Sequence, residues 1–374
     1  MRILITGGMG FIGKAVVESM LKHDIDSIYI LDNLSKKIHG REPSLFNFED
    51  KRVRIFKGDV SIRGDLEPLL CDSDLVLHLA AETGTGQSMY EIELYSRVNI
   101  SSVALMLDIL RNKKHRVKKI VLASSRAVYG EGKYKCSRHG VVYPFLRESK
   151  DMQKNDFDVK CPECGRACIV LPSSEDSLMR PVSFYGLTKQ VQESMIMTLS
   201  PHIGIAPVVL RYQNVYGPGQ SLLNPYTGIL SVFSTRIRMN RNIEVFEDGK
   251  ESRDFVYIDD VAEVTSKVLF LGKADGGTFN VGSGVRTTVL DLAQKLKKCF
   301  KSDVEVVING KYRAGDIRHN YADRTKAKEI LNFSPKVELG QGIEEFVAWV
   351  KRQENFSDLY QESMNELRQK GLFK

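Results

Sequence analysis

The chain opens Met1-Arg-Ile-Leu-Ile-Thr-Gly-Gly-Met-Gly-Phe-Ile-Gly13: a short apolar run, a glycine turn, then the first residues of an amphipathic stretch. That order limits the fold more than any other feature of the sequence. A buried strand leading through glycines into a helix is the start of a βαβ unit, and such units build a parallel sheet covered on both faces. Gly7, Gly10 and Gly13 place no side chain between the backbone and a ligand at the turn. The N–H groups of the helix start then point at an anion. The pattern predicts a strand over Arg2–Thr6, a helix over Gly10–Leu21 and a pyrophosphate-binding turn between them.

The alternation continues downstream. Strands are expected at Ser27–Leu31, Val53–Gly58, Leu75–Leu79, Lys119–Ala123 and Val208–Tyr212, with a long helix around Tyr90–Arg111. After Gly217-Pro218-Gly219 the elements mix: a helix over Gly228–Met239, strands near Ile243–Phe246 and Phe255–Tyr257, then helices over Val261–Leu271, Thr288–Phe300 and Ile343–Lys351. Tyr360, Met364 and Leu367 recur at helical spacing in Leu359–Leu372, which predicts a docked terminal helix. The expected fold class is α/β: a Rossmann-type doubly wound parallel sheet over residues 1–212, with a smaller α/β substrate domain over 213–374, some of whose segments return to the sheet.

Length and charge set the class of partner. The 374 residues suffice for one large or two modest domains, and 42% hydrophobic with 27% charged residues is ordinary for a globular protein. No apolar run reaches the roughly 18 residues a membrane span needs, and the first strand begins at the first residue, so a cytoplasmic protein is expected. The net charge is +7, but the basic residues are scattered rather than gathered into a stripe, which fits an anionic small molecule better than nucleic acid.

Five further residues carry chemistry. Asp32 ends the second strand, 19 residues after Gly13, where a carboxylate accepts ribose hydroxyls and repels a 2′-phosphate; this favours NAD over NADP, although Lys36 and Lys37 follow closely. Asp59 closes the third strand and suits either the adenine amino group or a helix cap. Ser125 stands at the carboxyl end of a strongly apolar strand, where α/β folds place their ligands. Tyr185 and Lys189 lie four residues apart, on one helix face. A neighbouring ammonium favours the phenolate, which makes a usable base.

As an ordered set these motifs resemble the extended short-chain dehydrogenases/reductases of the nucleotide-sugar epimerase group. The matching segments are Thr6–Gly13, Leu31-Asp-Asn33, Lys57-Gly-Asp-Val60, His78-Leu-Ala-Ala81, Ser124-Ser125 with Val128-Tyr-Gly130, Tyr185-x-x-x-Lys189, Arg211–Pro218, Ser252–Tyr257, Phe279–Gly284 and Gly315-Asp316. The resemblance implies that Tyr185 takes the proton of a sugar 4-hydroxyl, Ser125 bonds the same oxygen and Lys189 holds the nicotinamide ribose. It implies NAD contacts at Gly7, Gly10, Phe11, Ile12, Gly13, Asp32, Asn33, Asp59, Val60, Leu79, Ala80, Ala81 and Asn99, besides Tyr185 and Lys189. Substrate contacts are implied at Gln87, Ser125, Asn214, Arg253, Arg313 and Asp316, the partner being a nucleotide-diphosphate sugar. The helices near Tyr90–Arg111 and Tyr185–Leu199 resemble those that pair in homodimers of the group.

Within the group, 4,6-dehydratases resemble Thr-Asp-Glu-Val-Tyr-Gly at the serine, and decarboxylating members keep a Glu there. This chain has Ser124-Ser-Arg-Ala-Val-Tyr-Gly130, with no carboxylate, so C4 epimerisation is the expected outcome. Gly86–Ile92, Leu223–Ile229, Val245–Gly249 and Gly310–His319 further resemble dTDP-L-rhamnose 4-epimerases, which interconvert dTDP-L-rhamnose and dTDP-6-deoxy-L-talose. A C4 epimerase of UDP-galactose or a UDP-uronic acid is the nearer alternative. A non-catalytic NAD-binding or RNA-associated protein is the distant one, and a binding module needs no base.

Between Gly132 and Pro172 the apolar periodicity vanishes while Cys, Pro, Gly and charge rise, which marks an insertion at 132–172. Four of the six cysteines lie here. Cys136-x-x-His139-Gly and Cys161-x-x-Cys164-Gly share one form, that of a zinc knuckle, and predict a closed, structural Cys3His site. Cys168 is an alternative fourth ligand to His139. The insertion is expected to roof the sugar pocket, since it follows the serine strand.

Overall fold

A computed structural model describes residues 1–35, 48–223, 228–313, 315–354 and 360–373; Lys36 and Lys37 lie outside them. Seven parallel strands form the central sheet, in the spatial order Thr278–Val281, Ala206–Tyr212, Lys119–Ser125, Leu75–His78, Arg2–Thr6, Ser27–Asp32 and Val53–Lys57. The fold is the expected Rossmann-type α/β sheet, and the order of its strands reverses beside Arg2–Thr6. At such a switch point the loops leaving two adjacent strands part to opposite faces and open a crevice.

Strand alternation sorts the core into two layers. Ile3 and Ile5 pack on one face with Ile28, Ile30 and the helices Phe11–Met20 and Ile258–Phe270. Leu4, Tyr29 and Leu31 pack on the other, against Leu66, Met106 and Ile196 from the helices Arg63–Cys71, Ser102–Asn112 and Phe184–Leu199. A third core joins the helices Ile229–Arg238, Val289–Phe300 and Leu339–Lys351 to the short strands Ile243–Val245 and Phe255–Tyr257. Tyr360, Met364 and Leu367 are buried, so the helix Tyr360–Gln369 is docked. Among the described residues, no helix is long and apolar enough to cross a membrane.

Two segments differ from expectation. The single long helix predicted over Tyr90–Arg111 is interrupted: an α-turn at Ile92–Tyr95 leads through a π-helical stretch at Ser96–Ser101 into Ser102–Asn112. The wider turn holds Asn99, fully buried, pointing inward, where its amide donates to the Glu82 carbonyl and to Thr188 Oγ1 and accepts from the Glu82 N–H. Such interruptions occur where a side chain is needed off the regular helical face.

The insertion, irregular by sequence, is an ordered small unit. Tyr134–Cys136 pairs antiparallel with both Gly140–Val142 and Ile169–Val170, over a core of Tyr134, Val142, Val159 and Val170 with Cys136 and Cys161. Its strands are two or three residues long, too short for a periodicity to be read.

Candidate active site

A cavity of about 560 Å³ opens at the carboxyl ends of the strands. One end is walled by Gly7, Gly10, Phe11, Ile12, Gly13, Asp32, Asn33, Asp59, Val60, Leu79, Ala80 and Ala81. The glycines are required by close approach. A Cβ on Gly7, whose φ is +70°, would stand 2.7 Å from the Ala80 nitrogen, and one on Gly13 would stand 2.5 Å from the Gly8 carbonyl oxygen. Gly10 supplies no side-chain cap, so the N–H groups of the helix Phe11–Met20 have no capping side chain at the cavity. Asp32 is fixed by the Met9 N–H at 3.0 Å and the Leu34 N–H at 2.9 Å. Asp59 is on the wall and also caps the local turn, accepting from the Ser61 backbone and hydroxyl.

Ser125, Tyr185 and Lys189 meet in the middle of the same cavity. The helix Phe184–Leu199 is capped by Ser183, whose hydroxyl accepts from the Gly186 N–H at 3.1 Å. Gly186 lets it lie against the serine turn, because a Cβ there would come within 2.6 Å of the Ala127 carbonyl oxygen. Ser125 Oγ accepts from the Ala127 N–H at 3.1 Å, which orients the hydroxyl. Lys189 Nζ donates to the Ala123 carbonyl at 2.9 Å and lies 5.9 Å from the centre of the Tyr185 ring.

The electrostatics differ from a simple lysine–phenolate pair. Burial lowers Lys189 to about 7, with the Glu193 charge opposing it. Burial pushes the Tyr185 phenol above its ordinary value; a hydrogen bond with Ser125 and the charge of Arg126 pull it part of the way back. Desolvation therefore outweighs the hydrogen bond and the charge that favour the phenolate.

Sequence reading missed the support beneath this centre. Glu193, one helical turn beyond Lys189, takes the Ser124 hydroxyl and a bidentate grip from Arg211 at 2.7 and 3.0 Å. Arg211 also donates to Tyr129 Oη, which donates to Asn280 Oδ1 at 2.7 Å. All are buried. The signal was present: residues 185, 189, 192, 193 and 196 form one stripe, and an acid on a buried stripe needs a partner.

The other end carries Asn214, Arg253, Arg313 and Asp316, joined by Arg126, Phe246 and Tyr360. Arg253 spends its amino groups on the Ser252, Ile317 and Arg318 carbonyls and on Asp316 Oδ1 at 3.0 Å. Burial raises Asp316, but Arg253 and three further arginines outweigh it and hold the carboxyl below its ordinary range. The structure does not bring Gln87 or Asn99 to this wall. Gln87 is buried beside Glu91, to which it donates at 3.2 Å, and Asn99 ties the wall residue Glu82 to the Tyr185 helix from behind.

Cys136, His139, Cys161 and Cys164 converge, one donor atom from each within 4.8 Å of every other. Cys136 Sγ lies 3.7 Å from Cys164 Sγ and 3.8 Å from His139 Nδ1, and Cys161 Sγ lies 3.4 Å from the same nitrogen. A zinc tetrahedron with Zn–S of about 2.3 Å has edges of about 3.8 Å. Both following glycines are left-handed, Gly140 at φ +69° and Gly165 at +70°. His139 Nε2 faces Glu163 at 3.7 Å, the place of an outer carboxylate that orients a ligating imidazole. Cys168 lies outside this set of four and packs beside it.

The expected roof is not one: among the described residues, none of the insertion lines the cavity. It is held behind the cavity instead. Arg147 pairs with Glu247 at 2.7 Å and donates to the Asp316 carbonyl at 3.1 Å, and Glu247 also takes Arg318.

The NAD dependent epimerase/dehydratase family model matches residues 3–144 and 162–282. The chain belongs to that family. The unmatched stretch between the two matches falls inside the insertion. Family membership, the glycine cradle and the uncapped helix make the chain an NAD-dependent enzyme of the epimerase type. It is 36% identical over 355 residues to the dTDP-L-rhamnose 4-epimerase of Burkholderia thailandensis, covering 94% of this chain and 95% of that one. Among solved structures it is similar to the UDP-glucose 4-epimerase of Thermotoga maritima with UDP-glucose, at TM-score 0.76 and 28% identity, covering 94% of this chain and 99% of that one. The UDP-glucuronic acid 4-epimerase of Bacillus cereus, in complex with UDP-glucuronic acid and NAD, gives 0.76 and 26% with the same coverage.

Proposed function

We propose that the chain is a C4 epimerase of a nucleotide-diphosphate sugar, with dTDP-L-rhamnose and dTDP-6-deoxy-L-talose as the interconverting pair. The observation that carries this is the serine turn: Ser125 and Tyr185 share one cavity, and the two residues after the serine are Arg126 and Ala127 rather than acids. An enzyme that eliminates water needs an acid and a base beside the ring; here only a route that oxidises C4 and reduces it again remains. The likeness to the Burkholderia enzyme supports the dTDP sugar. A UDP-sugar C4 epimerase is the second reading, favoured by the similarity to UDP-sugar enzymes of known structure.

In this reading Tyr185 accepts the proton of the 4-hydroxyl while Ser125 bonds the same oxygen, leaving a 4-keto sugar. That sugar turns, and Tyr185 returns the proton after reduction on the opposite face. When bound, NAD supplies the hydride acceptor and donor. The turn from Gly7 to Gly13, with Asp32, Asn33, Asp59, Val60, Leu79, Ala80, Ala81, Tyr185 and Lys189, would hold it, with Asn99 supporting the wall from behind through Glu82, and Asp32 favours NAD over NADP. Asn214, Arg253, Arg313 and Asp316 complete the proposed substrate site. Residues 1–212 then serve mainly the cofactor and 213–374 mainly the substrate. Exposed Ile92 and Leu187, on the two helices named for pairing, support a homodimer. Reduced thiols suit a cytoplasmic setting.

The proposal includes one structural zinc held by Cys136, His139, Cys161 and Cys164, supported by the donor set, its tetrahedral spacing and the paired left-handed glycines. The substrate is tested by incubating the enzyme with a panel of dTDP- and UDP-sugars and following C4 inversion by proton NMR. Inversion of dTDP-L-rhamnose is the expected result. Turnover of UDP-sugars alone would replace the first reading with the second.

A further inference from the structure

Arg126 is the feature of the catalytic turn that the serine, tyrosine and lysine do not explain. It immediately follows Ser125 and lies on the cavity wall. Its Nε donates to Asn214 Oδ1 at 3.0 Å, which fixes the plane of the guanidinium. Among the described residues no carboxylate is hydrogen-bonded to it, and the side chain lines the cavity. A charged side chain so placed, at the desolvated centre of a site, requires a counter-charge.

We infer that Arg126 is an oxyanion receptor at the sugar end of the cleft, gripping an acidic group of the nucleotide-sugar substrate and fixing one end of it while C4 turns. The inference rests on the nucleotide-sugar reading above and adds the residue that pins the substrate. Four observations support it. Arg126 lines the same cavity as Tyr185, Arg253 and Asp316, and its charge interacts with all three and with Asp254. Arg253 cannot serve in its place, because its amino groups are committed to backbone carbonyls and to Asp316. Three arginines, 126, 253 and 313, line the cavity with Asp316, Glu244 and Glu251; burial pushes Glu251 up to about 8, so positive charge is in excess, which suits a diphosphate. A planar guanidinium held at Nε also presents its two amino groups as a fork, the geometry that binds phosphate or carboxylate oxygens.

The grip has a mechanistic use. Epimerisation needs the keto sugar to present both faces to the same hydride carrier, so the sugar must be free while another part of the substrate stays fixed. The anion has two possible sources, the sugar-proximal phosphate or a carboxylate on the sugar, and both are read by the same fork.

The test measures binding by calorimetry on NAD-loaded wild type, Arg126→Met and Arg126→Lys. One arm compares dTDP with dTMP; the other compares UDP-glucuronic acid with UDP-glucose. If the phosphate is the anion, wild type prefers dTDP and Arg126→Met loses roughly 10- to 100-fold of that preference, with Arg126→Lys in between. If the carboxylate is the anion, the loss falls in the second arm instead. NAD content equal to wild type shows that the variants are folded. Variants that keep both preferences at wild-type strength overturn the inference. A wild-type enzyme that binds none of the four nucleotides overturns the nucleotide-sugar reading itself.

Discussion

Replacing Tyr185 by Phe lowers turnover by about 10²- to 10⁴-fold, the usual worth of a positioned general base, while the protein keeps its fold and its NAD. The change removes one oxygen and nothing that holds the helix. The capping bond from Gly186 to Ser183, the donation of the Tyr185 N–H to Ser88 and the Glu193–Arg211 pair all involve other atoms. The lost hydroxyl hydrogen-bonds Ser125 and carries a proton that can leave. Lys189 does not substitute: its Nζ is engaged with the Ala123 carbonyl. The measurement is the initial rate of C4 inversion by proton NMR, with bound NAD read by absorbance. A variant turning over at near wild-type rate would remove Tyr185 from the chemistry.

Protein purified without added metal contains about one zinc per chain, and Cys161→Ser abolishes it. The insertion's own core is a handful of side chains around Tyr134 and Val159. Metal binding by thiolates and imidazole at these spacings is itself folding energy for so small a unit. With four protein ligands the site has no place for water, so the metal holds structure rather than polarising substrate. Its loss loosens residues 132–172 to protease and reaches the cavity through Arg147, which braces Glu247 and the Asp316 carbonyl. The KM for the nucleotide sugar then rises by about 10-fold or more, as expected when positioning residues shift, while NAD content is unchanged because the glycine turn stands apart. Elemental analysis decides it: zinc near zero in active enzyme contradicts the site. A Cys168→Ser variant lacking zinc would transfer the fourth position from His139 to Cys168.

The strands were readable because their residues are almost entirely buried: Ser27–Asp32 has no exposed position, and a run of that kind in a chain of alternating elements has one architecture. The dinucleotide turn was equally open to reading, since Gly7 and Gly13 answer to backbone contacts that any side chain would break. What escaped depended on tertiary context. The stripe through Glu193 signals that this acid needs a partner, but only the fold supplies Arg211 and Ser124. The π-helical turn around Asn99 leaves the apolar spacing of its helix nearly unchanged, so periodicity predicts one continuous element. The insertion's strands are held by ladder bonds and a cysteine cluster rather than by an amphipathic pattern. Whether it roofs the cavity or braces it turns on where Arg147 reaches, which no local rule contains.

The central claim is that hydride leaves C4 and returns to C4 with no net redox change and no chemistry at neighbouring carbons. It is tested most directly with dTDP-L-rhamnose deuterated at C4, and with unlabelled substrate in deuterated water, each followed to equilibrium by NMR. The account predicts that both epimers keep deuterium at C4 and that no solvent deuterium enters C3 or C5. Loss of the C4 label to solvent, or deuterium appearing at C5, would contradict it and assign the serine turn to elimination or 3,5-epimerase chemistry.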